Sequence, residues 1–182
     1  MIDAGGRGLG SEGWGAQGHA GRAARRRAGA GGVRRFAHLA DLAAMVGQEL
    51  AVSDAVLIDQ DRIDGFAAHT EDRQWIHVDH ARAAAGPFGT TVAHGYLTLA
   101  MLPHLLHNAI AIDDVRMGVN YGLNRVRFPA PVPAGSRIHA RFKLLSFEPI
   151  EGGAQLVIQA TLERDGGDKP VAVIESVVRQ YT

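Results

Sequence analysis

The sequence predicts an α+β fold, one buried helix followed by an antiparallel meander. Three observations carry this. Between Gly95 and about Ile110 the residues Leu97, Leu99, Met101, Leu102, Leu105, Leu106 and Ile110 crowd the chain, so the first turns of a helix there are apolar all round and expected to be buried. From Met117 onward apolar residues recur at period two, the signature of half-buried strands. Between those runs stand Glu151-Gly152-Gly153 and Asp165-Gly166-Gly167, both hairpin-type connections. A sheet with one apolar face hides it, together with such a helix, by closing over the helix.

The elements follow in order. Phe36 opens the folded domain, expected over residues 36–182, with a short helix over His38–Val46 and a first strand over Ala55–Asp59. Asp61–His69 reads as an amphipathic helix, with Ile63, Phe66 and Ala67 on one side. In the helix from Gly95, Pro103 is expected to bend the axis, and His104, His107 and Asn108 to bring its later half to a surface. Met117, Val119, Tyr121 and Leu123 then alternate at odd positions, Val126 and Phe128 at even ones. This change of parity predicts a bulge near Asn124 and Arg125. Pro129, Pro131 and Pro133 mark a stiff loop. Ile138 to Leu144, Leu156 to Leu162 and Val171 to Val178 supply three more strands.

Composition narrows the function. Residues 1–35 hold eleven Gly and few large apolar side chains, too little to offset the entropy of ordering, and are expected to form a disordered tail without a function of its own. Its seven Arg against Asp3 and Glu12 make it +5, which leaves −5 for the rest of a chain of net charge zero. Such a basic tail also has the look of a nucleic-acid or membrane arm, or of a transit peptide, but a transit peptide is Ser-rich and this segment has only Ser11. The mildly acidic body argues against nucleic acid as partner. No run approaches a membrane span, because the apolar stretch at 97–102 is interrupted by Pro103 and His104. The absence of cysteine excludes disulfides, thiolate metal sites and a cysteine nucleophile, and a cytoplasmic location is expected.

The densest polar segment is Glu71-Asp72-Arg73-Gln74-Trp75-Ile76-His77-Val78-Asp79-His80, lying between two helical stretches. In an unbroken helix Asp72 and His77 would be turned about 500° apart and diverge, so they converge only if the segment loops. A carboxylate and an imidazole held together suit a reaction that removes one proton and delivers another. On spacing alone, Asp72 as a cap of a helix or turn and His77 as a satisfied half-buried histidine account for the residues better. His77, Asp79, His80 and His94 offer metal ligands, but in no known metal-binding spacing, and no metal is expected. A second segment runs Phe88-Gly89-Thr90-Thr91-Val92-Ala93-His94-Gly95-Tyr96-Leu97. Gly95 opens the buried helix, where unpaired N–H groups favour an oxyanion; a tight turn or close contact explains a glycine there as well.

These two segments, with Asn120-Tyr121-Gly122-Leu123-Asn124-Arg125-Val126-Arg127-Phe128-Pro129 in third place, resemble the MaoC-like dehydratase family, specifically its (R)-specific enoyl-CoA hydratases and nodulation-protein-N-like subgroup. The resemblance spans about residues 36–181, and three separated motifs in order make it specific. It implies a hot-dog fold, a long central helix wrapped by a curved antiparallel sheet, and a homodimer. It implies a hydro-lyase of fatty-acid metabolism that reversibly adds water to trans-2-enoyl thioesters. The substrate is carried on coenzyme A or acyl carrier protein, and no cofactor is used.

Carried over by position, the family's D-x-x-x-x-H motif falls on Asp72 and His77 as the catalytic pair that holds and activates the water. Its A-H-G falls on Ala93, His94 and Gly95, the glycine N–H receiving the thioester oxygen. Gln74, Phe88, Gly89 and His94 are carried as substrate-binding positions. For Gln74 a solvated loop, and for Phe88 and Trp75 plain packing, explain the residues too. Arg125 and Arg127 are candidates for carrier phosphates or simply a solvated strand face. Two departures stand out: Glu71 occupies a position that is commonly Gly, and Pro103 one where some members place a hydroxyl. Against the hydratase stand a hot-dog acyl-CoA thioesterase and a non-catalytic acyl-thioester-binding subunit, since one fold hosts several activities.

Overall fold

The computed structural model describes residues 32–182. The expected tail therefore lies, through residue 31, outside the described residues. The folded body starts two residues earlier than Phe36, because β1 (Arg34–Phe36) pairs in parallel with β4 (Ile110–Ile112). The arginines assigned to the tail are used here. Arg34 donates to the carbonyl of Leu50 at 2.8 Å and lies over the Phe36 ring, and Arg35 is ion-paired with Asp113.

A 3-10 turn over Leu39–Met45 takes the place of the short helix, its first N–H groups tied by the carboxylates of Asp41 and Asp114. β2 (Glu49–Val52), which has no alternating pattern, and β3 (Val56–Ile58) both pair with β6 (Ser136–Ile150). α1 (Gln60–Thr70) starts at Asp59, whose carboxylate accepts from the N–H of Arg62 at 3.0 Å, and buries Ile63 and Ala67 as expected. The short helices α2 (Trp75–Val78) and α3 (His80–Ala84) follow.

The expected single helix from Gly95 is two, α4 (Gly95–Ala100) and α5 (Leu102–His107), divided at Met101. Pro103 has no N–H to return to Leu99, so the ladder is interrupted there. It resumes as Leu105 donates to the carbonyl of Met101 at 3.0 Å. Ile110 belongs to β4, not to the helix. The first turns are not buried all round either: Tyr96 is 71 % exposed, while Leu97 and Thr98 are buried.

β5 (Met117–Arg127), β6 (Ser136–Ile150), β7 (Gly153–Arg164) and β8 (Ala172–Tyr181) form the antiparallel sheet, in the order β2-β6-β7-β8-β5. One face of β6 (Ile138, Ala140, Phe142, Leu144) and one of β7 (Leu156, Ile158, Ala160, Leu162) pack with Leu97, Met101, Leu102 and Leu105 into a single core. The predicted bulge is present, as the β5–β8 register shifts between Leu123 and Arg125. A second shift lies between Asn120 and Gly122. Paired residues share a face, so Leu123 and Val126 point with Ser176 and Ile174 toward the helices, while Met117 and Val119 point outward with Tyr181 and Arg179. Among the described residues no helix is long and apolar enough to cross a membrane.

The β7–β8 register admits no side chain at Gly153, where a Cβ would overlap the Gln180 carbonyl oxygen. Gly153→Ala is expected to cost about 1–3 kcal/mol, the range for overpacking. Urea unfolding measures it, and an unchanged midpoint would contradict this account of the register.

Candidate active site

α1 ends in a residue of left-handed backbone: Glu71 has φ 61°, the sole non-glycine with positive φ among the described residues. A side chain there costs about 1 kcal/mol, which explains why glycine suits this position. The reversal throws Asp72 out of the helical path, and the N–H of Gln74 lies 3.4 Å from its Oδ1. α2 then restarts the helix and carries His77 inward. The spacing that would separate the two side chains in one continuous helix thus brings them together across a turn. One side-chain donor or acceptor atom from each of Asp72, His77 and His94 lies within 4.8 Å of the other two.

Hydrogen bonds set the tautomers. His77 Nδ1 is 2.6 Å from the carbonyl oxygen of Val92, and a carbonyl only accepts, so Nδ1 carries the proton and Nε2 has a free lone pair. By the same reasoning His94 Nε2, 2.9 Å from the backbone carbonyl of Asp72, is protonated. The two rings stack with centroids 3.7 Å apart and planes 24° from parallel, and Phe66 closes over the far side of His94. His77 and His94 are buried, while the Asp72 side chain is half exposed at 51 %, so the pair is reached from the carboxylate side. Burial pushes the His77 pKa below its ordinary 6.5. The bond to Val92 opposes this, His94 adds to it and Asp72 opposes it. His77 is therefore a neutral base at pH 7.

α2 is held in place by Gln60 of α1, whose amide donates to the carbonyl of His77 at 2.9 Å and to Asp64 at 2.7 Å, and whose oxygen accepts from Thr91 at 2.6 Å. The Val92 N–H donates to Ile76 at 3.0 Å. Sequence reasoning missed Gln60, Thr91 and Phe66. Gln60 follows the capping Asp59 and looks like any polar helix start, and nothing in its neighbours signals a tertiary partner.

Gly95 heads α4, directly after His94, its N–H among those a helix leaves without an intrahelical partner. A Cβ at Gly95 would stand 3.0 Å from the Phe128 ring, so a side chain there requires that ring to give way by a few tenths of an ångström. The other expected positions are less central. Gln74 is exposed at the head of α2, and Phe88 and Gly89 lie exposed in the turn after α3, Gly89 at φ 70°. Trp75 packs under Arg82 and against Gly86. Arg125 and Arg127 line a groove of about 280 Å³ with Gln159, Val173 and Glu175, on the sheet face opposite the helices.

Two imidazoles and a carboxylate within reach of one point raise the question of a metal. The nitrogen of His94 nearest the carboxylate, 4.0 Å from Oδ2, is Nε2, the atom already protonated and donating to the Asp72 carbonyl. While it makes that bond it has no lone pair to offer a metal.

A curved antiparallel sheet packed on a central helix, with a carboxylate–imidazole pair at the helix head, defines a hot-dog-fold acyl-thioester type of architecture. Residues 41–165 match the MaoC-like domain model, and the chain belongs to that family. It is 51 % identical over 148 residues to 3-hydroxyacyl-thioester dehydratase Z of Mycobacterium tuberculosis, covering 81 % of this chain and 98 % of that one. It is 44 % identical over 136 residues to nodulation protein N of Rhizobium leguminosarum bv. viciae, covering 72 % and 84 %. In three dimensions it resembles unliganded R-hydratase PhaJ1 of Pseudomonas aeruginosa, with TM-score 0.60 at 23 % identity over 75 % of this chain and 81 % of the other, a likeness of fold.

The depressed pKa of His77 has a consequence for stability. The unfolded chain binds this proton near pH 6.5 and the folded chain only at lower pH, so the contribution is complete above 6.5 and is lost as pH falls through the folded value. His77→Asn keeps a donor for Val92 and removes the titration. Urea midpoints between pH 7.5 and 5 are expected to fall more steeply in the native protein than in this variant; parallel curves would refute the assignment.

Proposed function

We propose that this chain is an (R)-specific enoyl-thioester hydratase, a hydro-lyase that interconverts trans-2-enoyl and (R)-3-hydroxyacyl thioesters. The observation that carries the reading is the convergence of the Asp72 carboxylate on a His77 ring whose Nε2 is left as a free, neutral base by the bond from Nδ1 to Val92. The dehydratase named among its relatives acts on the same class of thioester by its name, and the chain spans nearly all of that protein.

In the forward direction Asp72 and His77 Nε2 hold one water. Its oxygen bonds to the β-carbon while the α,β π pair moves onto the thioester carbonyl, giving an enolate. The proton released by the water passes through the pair to the α-carbon, which restores the carbonyl, so water is added with nothing left over. The Gly95 N–H, at a helix head where partial positive charge accumulates, is assigned to the enolate oxygen. No cofactor enters this scheme. Coenzyme A and acyl carrier protein are the two carriers that would present the acyl group.

Loss of enoyl-thioester absorbance with purified protein, and chiral analysis of the 3-hydroxyacyl product, test the reaction. Asp72→Asn and His77→Asn are each expected to lower kcat by about 10²–10⁴-fold, the usual weight of a positioned acid or base. Release of free thiol without hydration would replace this reading with a thioesterase, and unchanged turnover in Asp72→Asn would remove the pair from the chemistry.

A homodimer belongs to the same proposal. β5 ends the sheet order with one edge unpaired, and Met117, Val119, Tyr121, Leu123, Phe128 and the neighbouring Tyr96 are exposed along it, a surface that monomers rarely leave in water. The native chain is expected to sediment at twice its 19.4 kDa mass and Leu123→Glu at the single mass. A monomeric native protein would exclude the assembly.

A further inference from the structure

His94 has no part in the proton transfers above, yet it is among the most deeply enclosed polar side chains of the site, 2 % exposed. Nε2–H is committed to the backbone carbonyl of Asp72, and Nδ1 is sealed from solvent with no hydrogen-bond partner among the described residues. Neither nitrogen is available to a substrate. Its ring has one face on His77 and the other toward Phe66, and its own carbonyl accepts the first ladder bond of α4 from Thr98 at 3.1 Å. Buried polar atoms are normally satisfied, so an imidazole kept here with an orphaned nitrogen calls for a reason.

We infer that His94 is the positioning residue of the catalytic pair, its Nε2–H fixing the turn that presents Asp72 while the face of the same ring seats the imidazole of His77. The inference rests on the hydratase reading for its kinetic consequence and on the geometry alone for its structural one. A carboxylate on a turn after a left-handed residue is otherwise free to swing, and about 1 Å of misplacement is enough to cost on the order of 100-fold in rate. One rigid ring, itself clamped at the head of α4, sets both partners against a common reference and against Gly95, the next residue in the chain. The groups facing His77 are Asp72 from the turn after α1, His94 from the head of α4 and the uncharged amide of Gln60 from α1, and of these His94 is the one that opposes protonation of His77.

Two variants separate the ring from its N–H. His94→Gln places an amide N–H about where Nε2 stands but removes the ring. His94→Phe keeps an aromatic face and removes the donor together with the orphaned Nδ1. His94→Phe is expected to melt close to the native protein, because removing the unpaired Nδ1 offsets the lost bond from Nε2 to the Asp72 carbonyl. Its kcat on an enoyl thioester is expected to fall about 100-fold with KM changed less than about threefold. His94→Gln is expected to recover kcat to within about tenfold of native.

In both variants the His77 ring, followed by NMR titration, is expected to protonate at higher pH than in the native protein. Native kcat in His94→Phe, or a rise in KM exceeding the fall in kcat in both variants, would overturn the inference in favour of no role or of direct substrate contact. If the native protein hydrates no thioester, the hydratase reading fails alone. The titration then decides: an unmoved His77 midpoint in both variants overturns the role of His94, and an upward shift in both upholds it.

Discussion

At Glu71 the backbone turns left-handed, and the geometry of the site follows from that one residue. Had α1 continued, Asp72 would face one way and His77 another, as the 3.6-residue repeat requires. The reversal converts a sequence separation of five into a meeting across a turn, at a cost in backbone strain that a glycine would avoid. The strain is held by what surrounds it. Gln60 grips the far end of the loop through the His77 carbonyl, the Thr91 hydroxyl completes the same amide, and His94 takes the carbonyl of Asp72. Three side chains thus brace the loop, which is how a segment with almost no core of its own is kept in one conformation.

The electrostatics follow from that arrangement. His77 is buried beside a second imidazole, and both circumstances favour the neutral ring; the bond from Nδ1 to Val92 works against this but leaves the lone pair of the neutral ring on Nε2. Asp72 lies at the border with solvent, where a carboxylate keeps its hydration. The pair therefore sets a buried imidazole beside a hydrated carboxylate. A water entering from outside meets the carboxylate first and the imidazole behind it.

Much of this was legible in the sequence, and what was not has physical causes. The sheet could be read because its strands alternate cleanly: Ile138 to Leu144 and Leu156 to Leu162 are buried on one face, and the parity change in β5 marks a real bulge. β1 and β2 are three and four residues long and owe their place to partners far along the chain, which no local pattern records. Arg34 and Arg35 read as tail for the same reason, since Leu50 and Asp113 are remote in sequence. The helix from Gly95 was overextended by its apolar run, because composition does not count the hydrogen bond that Pro103 removes. Within the site, Asp72, His77 and His94 stood out by chemistry, whereas Gln60 and Phe66 act through tertiary contact and leave no trace in their neighbours.

Gly95 shows why packing and chemistry need not be rival explanations of one residue. A Cβ at this position would press on the Phe128 ring at 3.0 Å, so the junction of β5 with the head of α4 favours glycine whatever reaction takes place nearby. The same missing Cβ leaves the first N–H of the helix unshielded at the point where His94 delivers the chain from the catalytic turn. Phe128 lies against Tyr96 in an edge-to-face pair, and both rings stay exposed next to the free edge of β5.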